Sequence, residues 1–159
     1  MELKLPMLGV LALLAVSWAS GQVTPPAKKF APTSGDLFLE PSSTSVSGEK
    51  VSLRVGVLTR QAGTFIGDYQ LKVVPLFFKS EKGSLSMVVS DETLRKLASG
   101  MAVDFTGQAT TSGSGKTRRI DGEATPSGSG RGTVKLRFMA GSREMVFCTS
   151  YHFDESRPH

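Results

Sequence analysis

Cysteine and histidine are scarce in this sequence of 159 residues. A single cysteine, Cys148, excludes a disulfide within the chain, so the fold must depend on its apolar core. The two histidines are His152 and His159. On a strand, the Cα atoms of Cys148 and His152 would lie ~13 Å apart, too far to share a metal ion. We therefore expect no histidine-based metal site or catalytic triad, and no cofactor.

A complete nucleotide-binding motif is also missing. The residues Gly113–Thr117 resemble the end of a phosphate-binding loop, but Thr110 stands where the motif requires its first glycine. The residues that follow alternate as in a strand, whereas phosphate binding needs the N-terminus of a helix. We expect no nucleotide as partner.

One long apolar run is present, at Met7–Val16, behind the positive charge of Lys4. Small residues follow at Ala19–Gly21, as in a signal-peptidase site. This pattern predicts a signal peptide over residues 1–21, since a spanning helix needs ~20 apolar residues. The protein is then exported, periplasmic or secreted, with no transmembrane segment once the signal is removed.

The rest of the chain divides into a linker, one domain and a tail. Residues 22–35 contain three prolines and little that a core would bury, which predicts a linker. Residues 154–159 are polar and contain Pro158, which predicts a disordered tail. The length between them suits one domain, over residues 36–153.

Period-two alternation dominates that domain, as in Val51–Val57 and in Val134–Phe138. Short connections favour antiparallel hairpins. One short helix is predicted near 91–99. Ser90 can cap its first turn, acidic and basic residues suit its N- and C-terminal ends, and Gly100 can end it. We predict a mainly β fold, an antiparallel two-layer sandwich, with a small meander barrel as the alternative.

The apolar pattern also predicts which side chains are buried. Phe77 and Phe78 lie in an apolar stretch and are expected in the core, whereas Phe65 and Tyr69 flank Ile66–Asp68 and are the candidates for exposed rings. Cys148 lies within an apolar strand pattern and is expected to be a buried, inert thiol.

The net charge is +5, and the stretch from Gly113 to Tyr151 holds seven bases against three acids. Such a surface favours anionic partners, although solvated charges that protect sheet edges have the same pattern. A near-repeat relates residues 107–116 to 122–131, and its two turns should lie at opposite ends of a meander. The candidate contacts with an anionic partner are Lys116, Arg118, Arg119, Arg131, Lys135 and Arg137.

These features favour an exported, non-catalytic binding or structural domain of the cell envelope, with an anionic envelope polymer or another envelope protein as partner. One alternative is a β domain that holds an apolar ligand in its interior, which needs internal volume. A less favoured alternative is a hydrolase with carboxylates such as Asp104 and Glu123, which would have to meet in a cleft.

Overall fold

A computed structural model describes residues 35–154 as one open, curled antiparallel sheet with a short α-helix. The predicted signal peptide lies outside these residues, as do the predicted linker apart from Gly35 and the predicted tail apart from Asp154. The mainly β class and the helix near 91–99 are confirmed.

The strands are β1 (Asp36–Leu39), β2 (Ser42–Val46), β3 (Glu49–Val55), β4 (Thr59–Gln61), β5 (Thr64–Val74), β6 (Glu81–Val88), β7 (Val103–Thr111), β8 (Thr117–Gly128), β9 (Arg131–Ala140) and β10 (Arg143–Asp154). The helix α1 is Asp91–Ala98, and a 3-10 helix spans Phe77–Lys79.

The strand order is β1-β10-β9-β8-β7-β6-β5-β3-β2, and β4 pairs with β5 beside this path. From β5 to β10, strands that follow one another in the chain are neighbours in the sheet, each pair antiparallel. The short connections predicted this arrangement, because parallel pairing would need long crossovers. The two outermost strands, β1 and β2, are consecutive in sequence.

Hydrogen bonds link strands from the two ends of this sheet. Leu37 and Leu58 exchange backbone hydrogen bonds of 2.9 and 3.0 Å between β1 and the segment before β4. After β1, the Thr149 hydroxyl donates to the carbonyl of Glu40 at 2.6 Å, and the Ser42 hydroxyl at the start of β2 donates to a β10 carbonyl at 2.9 Å. The chain between β1 and β2 thus joins β10 to the far end of the sheet.

Alternate residues of each strand point into one apolar core, and apart from the tyrosines Tyr69 and Tyr151 the buried side chains of residues 35–154 carry no polar or charged group on nitrogen or oxygen. In β5, for example, Phe65, Leu71 and Val73 point inward while Gln70 and Lys72 point out. The largest fully buried side chains are Phe65, Phe138, Phe147, Leu58, Leu85, Met87, Leu94, Ile120 and Leu136. This alternation fixes which side of every strand is left to meet a partner.

The helix α1 covers one end of the core. The Ser90 hydroxyl accepts a hydrogen bond of 3.1 Å from the Thr93 amide, which caps the first turn. Leu94 and Leu97 point into the core, and Gly100 follows with φ +90°. Apolar side chains below the helix leave a cavity of about 30 Å³, room for roughly one or two water molecules.

Candidate functional site

The six cations that the sequence predicts as contacts do not meet on one surface. Lys116 lies in the β7–β8 turn and Arg118 at the start of β8, whereas Arg131 begins β9. Because β8 is antiparallel to both neighbours, the two turns lie at opposite ends of a strand of twelve residues, about 35 Å apart. The prediction that these turns lie at opposite ends of the meander is confirmed.

The other three predicted contacts, Arg119, Lys135 and Arg137, lie next to acidic residues on the outer face of β8 and β9, and Arg131 at the start of β9 shares this face. On this part of the sheet, opposite charges lie side by side, within one strand or across strands, as expected for a solvated strand surface. The pairs are Arg119–Asp121 at 2.9 Å, Arg137–Glu144 at 3.6 Å and, by strand register, Lys135 opposite Glu123. Contact of these residues with a partner stays a prediction, and their surroundings leave little net positive charge for it.

Arg118 points inward, into a polar network at the edge of the core. Its Nε and Nη2 donate to the two carboxylate oxygens of Glu81, each at 2.8 Å. The Tyr69 hydroxyl donates to the same carboxylate at 3.3 Å and lies 3.2 Å from the Thr111 hydroxyl. The hydrogen bond with Glu81 raises the pKa of Arg118, and burial raises the pKa of Tyr69. Glu81 therefore neutralises the charge that Arg118 would offer to a partner.

This network lines an open cleft of about 370 Å³ at the end of the sheet opposite α1. The floor of the cleft is apolar, from residues that include Val46 and Met145. At the rim, the Lys79 ammonium pairs with Glu49 at 2.7 Å. Lys116 and Arg143 also line the cleft, and neither forms an ion pair with another residue in 35–154. The cleft thus carries a modest positive charge beside apolar surface.

A denser group of unpaired cations lies on the outer face of β3, β5 and β6. We call Lys50, Arg54, Lys72 and Lys82 the basic face. All four side chains are exposed, and none of them forms an ion pair within residues 35–154. Asp68 is the only acid that these three strands direct outward in the described part of the chain. The basic face therefore has the largest uncompensated charge on a single surface of the described sheet.

Strand register places the four cations close together. Arg54 lies opposite Gln70, and Gln70 lies opposite Lys82, so one row crosses three strands in about 10 Å. Lys72 lies opposite Ser52, two residues along the strands from this row, and Lys50 lies opposite Val74, two residues farther. This spacing lets one extended anion contact several cations at once.

A shallow groove of about 470 Å³ runs beside the basic face. It combines two cationic side chains with hydroxyl and amide groups, which can donate hydrogen bonds to phosphate, sulfate or carboxylate oxygens. Its lining is Pro41, Ser42, Ser43, Ser52, Leu53, Arg54, Gln70 and Lys72. The groove therefore adds a concave surface and hydrogen-bonding groups to the cations of the basic face.

The exposed aromatic rings are not the ones that the sequence predicts. Phe65 and Tyr69 are 0% and 2% exposed, because β5 is one continuous strand that directs both residues inward. Phe77 and Phe78 are 59% and 80% exposed, because Pro75 follows the end of β5 and the 3-10 helix turns these residues away from the core. The assignments of both pairs were wrong, and the exposed pair adjoins the basic face.

Cys148 is exposed, so the prediction of a buried thiol was wrong. The inward positions of β10 are those of Phe147 and Tyr151, and Cys148 has the opposite parity. His152 is also exposed on the outer face, stacked on Phe38 with ring centroids 5.0 Å apart. Among residues 35–154, no group of three or more metal-binding side chains comes together.

Asp104 and Glu123, the carboxylates considered for catalysis, lie opposite each other on the outer face of β7 and β8. Both side chains are exposed to solvent. A pair that acts as acid and base on a glycan needs a cleft that encloses the substrate. This pair stands on an open surface instead.

Comparison of the chain with protein-family models, with curated proteins and with solved structures gave no match. Within the described residues, no helix is both long enough and apolar enough to cross a membrane.

Proposed function

We propose that this chain is an exported, non-catalytic binding domain of the cell envelope that contacts an anionic partner through the basic face. The observation that carries the proposal is the clustering of Lys50, Arg54, Lys72 and Lys82 on three adjacent strands without ion-pair partners among residues 35–154. Cations held this close repel one another, and an anionic partner relieves that repulsion. The groove beside them supplies hydroxyl and amide groups for the same partner.

Export is the part of the proposal that rests on sequence alone. The charged start, the apolar run and the small residues of 1–21 support it. An anionic envelope polymer is a partner that an exported basic domain would meet. The hairpins named from sequence, with Lys116 and Arg131 at their turns, remain a second candidate surface, which the experiment below compares directly with the basic face.

The filled interior of the curled sheet supports a role for its outer face rather than for its inside. The bonds between Leu37 and Leu58 and those around Glu40 favour the meander barrel over the two-layer sandwich. Inside, the cavity of about 30 Å³ compares with roughly 300 Å³ or more for sites that hold small organic ligands. We therefore prefer a surface contact to an apolar ligand in the core.

The test is binding to immobilised heparin, a sulfated polysaccharide that serves as a generic polyanion. We expect the variant K50Q/R54Q/K72Q/K82Q to bind about tenfold more weakly or worse, because four exposed contacts at about 0.4 kcal/mol each sum to about 1.6 kcal/mol, and ~1.4 kcal/mol corresponds to a factor of ten. Added salt should weaken binding by the parent protein, because exposed charges are screened.

The matched control is R119Q/R131Q/K135Q/R137Q, which removes the same charge from the other half of the sheet. It should retain most of the heparin binding. A control that loses more than the basic-face variant would assign the contact to the hairpins predicted from sequence. Binding that is indifferent to salt would contradict an electrostatic contact on either surface.

A further inference from the structure

An apolar corner lies at the end of the basic face. Val74, the last residue of β5, is 37% exposed, and the neighbouring Phe77 and Phe78 are 59% and 80% exposed. Single exposed apolar side chains are common on proteins, but two consecutive exposed aromatic rings are a contiguous surface that water solvates poorly. Such a corner favours a partner that can take apolar side chains into an apolar region of its own.

Hydrogen bonds hold this corner in one conformation. The amides of Phe77, Lys79 and Ser80 donate to carbonyl oxygens within the turn, each at 3.0 Å. The Ser80 hydroxyl accepts from the Val73 amide at 3.0 Å, which ties the turn to β5. Leu76 packs partly into the core. The two rings are therefore presented by a fixed turn, and little conformational entropy is lost when they are covered.

Lysines flank the rings. The Lys72 ammonium lies 5.5 Å from the centre of the Phe77 ring, so this ring shares the side of the sheet on which the basic face lies. Lys50 is opposite Val74 on the neighbouring strand. Exposed aromatic rings with cations around them are the pattern of proteins that bind the headgroup region of a bilayer, where rings enter the boundary of the acyl chains and cations meet lipid phosphates.

We propose that Phe77 and Phe78 insert into the headgroup region of an anionic lipid bilayer while the basic face lies against the lipid phosphates. This inference rests on the proposed function, because it names the anionic partner of the same basic face. A polyanionic polymer satisfies the cations but leaves the rings in water. A bilayer satisfies both, and the combination of charge with an apolar corner favours it.

The first experiment measures cosedimentation of the full chain with phosphatidylcholine vesicles, with and without phosphatidylglycerol. We expect binding to the anionic vesicles, and a loss of about tenfold or more in F77S/F78S, because the variant removes the apolar contact and leaves every charge in place. The control is V88S, which removes an exposed apolar side chain (58% exposed) at the opposite end of β6. It should bind like the parent.

The second experiment measures directly how deeply the aromatic turn enters the bilayer. Trp18 is the only tryptophan of the chain, so a W18F background leaves F78W as the sole fluorescent reporter. We expect its emission to shift to the blue with anionic vesicles and to be quenched by lipids brominated on the acyl chain. The same reporter placed as V88W should stay unquenched. Because all variants share residues 1–34, differences between them report on the turn.

Several results would overturn the inference. Binding to heparin without binding to anionic vesicles would refute the bilayer as partner and leave the proposed function standing, whereas binding to neither would refute both. Vesicle binding that F77S/F78S retains in full, or an unquenched F78W, would mean that the rings stay in water. Sedimentation equilibrium showing a parent dimer that F77S/F78S converts to monomer would assign the corner to a second copy of the chain.

Discussion

The replacement of Arg118 by methionine should destabilise the protein by much more than its position near the surface suggests. The side chains of Arg118 and Glu81 are only 13% and 12% exposed, and they share two hydrogen bonds of 2.8 Å. Without the guanidinium, the Tyr69 hydroxyl at 3.3 Å is the one side-chain donor within the described residues that the Glu81 carboxylate keeps. Breaking a buried pair costs about 3–5 kcal/mol, and the partial exposure here reduces our expectation to about 2–4 kcal/mol.

The double variant E81M/R118M should recover most of that loss. Both charges then leave the site together, and two apolar side chains of similar length fill the space. Replacement of a whole buried pair is often close to neutral, so we expect less than about 1 kcal/mol of difference from the parent. The assay is the free energy of unfolding by urea for the parent, both single variants and the double variant, as a double-mutant cycle.

The control is R119M, which breaks the exposed pair with Asp121, where the Arg119 side chain is 70% exposed. Its cost should be below about 0.5 kcal/mol. If the losses of the two single variants at Glu81 and Arg118 simply add in the double variant, the pair is not coupled. That result would refute our description of the network as mutually neutralising.

Three further predictions use the same unfolding assay. S90A should cost about 1 kcal/mol, because the hydroxyl of Ser90 caps α1; an unchanged free energy of unfolding would mean that the cap is dispensable. G83A should cost more than about 2 kcal/mol, since its methyl group would overlap the carbonyl oxygen of Thr110, and G56A, where a methyl group meets only ordinary contacts, should cost clearly less. Burial raises the pKa of Tyr151 to about 12, so up to about 2.7 kcal/mol of stability is present below pH ~10, the unfolded pKa, and is lost as the pH rises through ~12. Y151F should therefore lose less stability than the parent between pH ~10 and ~12, and identical alkaline profiles would contradict this assignment.

The local patterns in the sequence account for most of the fold. Alternation identifies the inward side of strands such as β9, where Val134, Leu136 and Phe138 are all buried. The signals around the helix identify Ser90 as its cap and Gly100 as its end, because capping depends only on residues within a few positions. Antiparallel order also follows from short connections. Each of these features depends on interactions between residues that are close in the chain.

The errors have long-range causes. Cys148 follows two apolar neighbours, and a short apolar run does not show which of its residues point inward. Phe147 and Tyr151 identify the inward positions only when the whole of β10 is considered. Phe77 and Phe78 are apolar, but the end of β5 at Val74 places them beyond the sheet. In both cases the burial of a side chain depends on where the strand ends or on which face of the strand is buried. The hydropathy of the side chain does not decide it.

The candidate site was missed for a related reason. Charge counted along the chain points to residues 113–151, where acids neutralise several of the bases, as Asp121 does for Arg119, Glu144 for Arg137 and Glu81 for Arg118. Lys50, Arg54, Lys72 and Lys82 are spread over 33 positions of sequence and become one surface only through the pairing of β3 with β5 and β5 with β6. Counting charges on the outward positions of each strand would have identified these four residues, but not that their strands are adjacent.

The register of β1 with β10 also determines how the domain can be held. Asp36 pairs with Asp154, so the chain enters and leaves the described domain side by side, at the end of the strands opposite the turn that carries Phe77 and Phe78. Strands of about ten residues separate the two ends by about 30 Å. The domain could consequently be joined at either point to a polypeptide, an affinity tag or a solid support. Phe77 and Phe78 would then lie on the side away from the attachment, where they can reach a second surface.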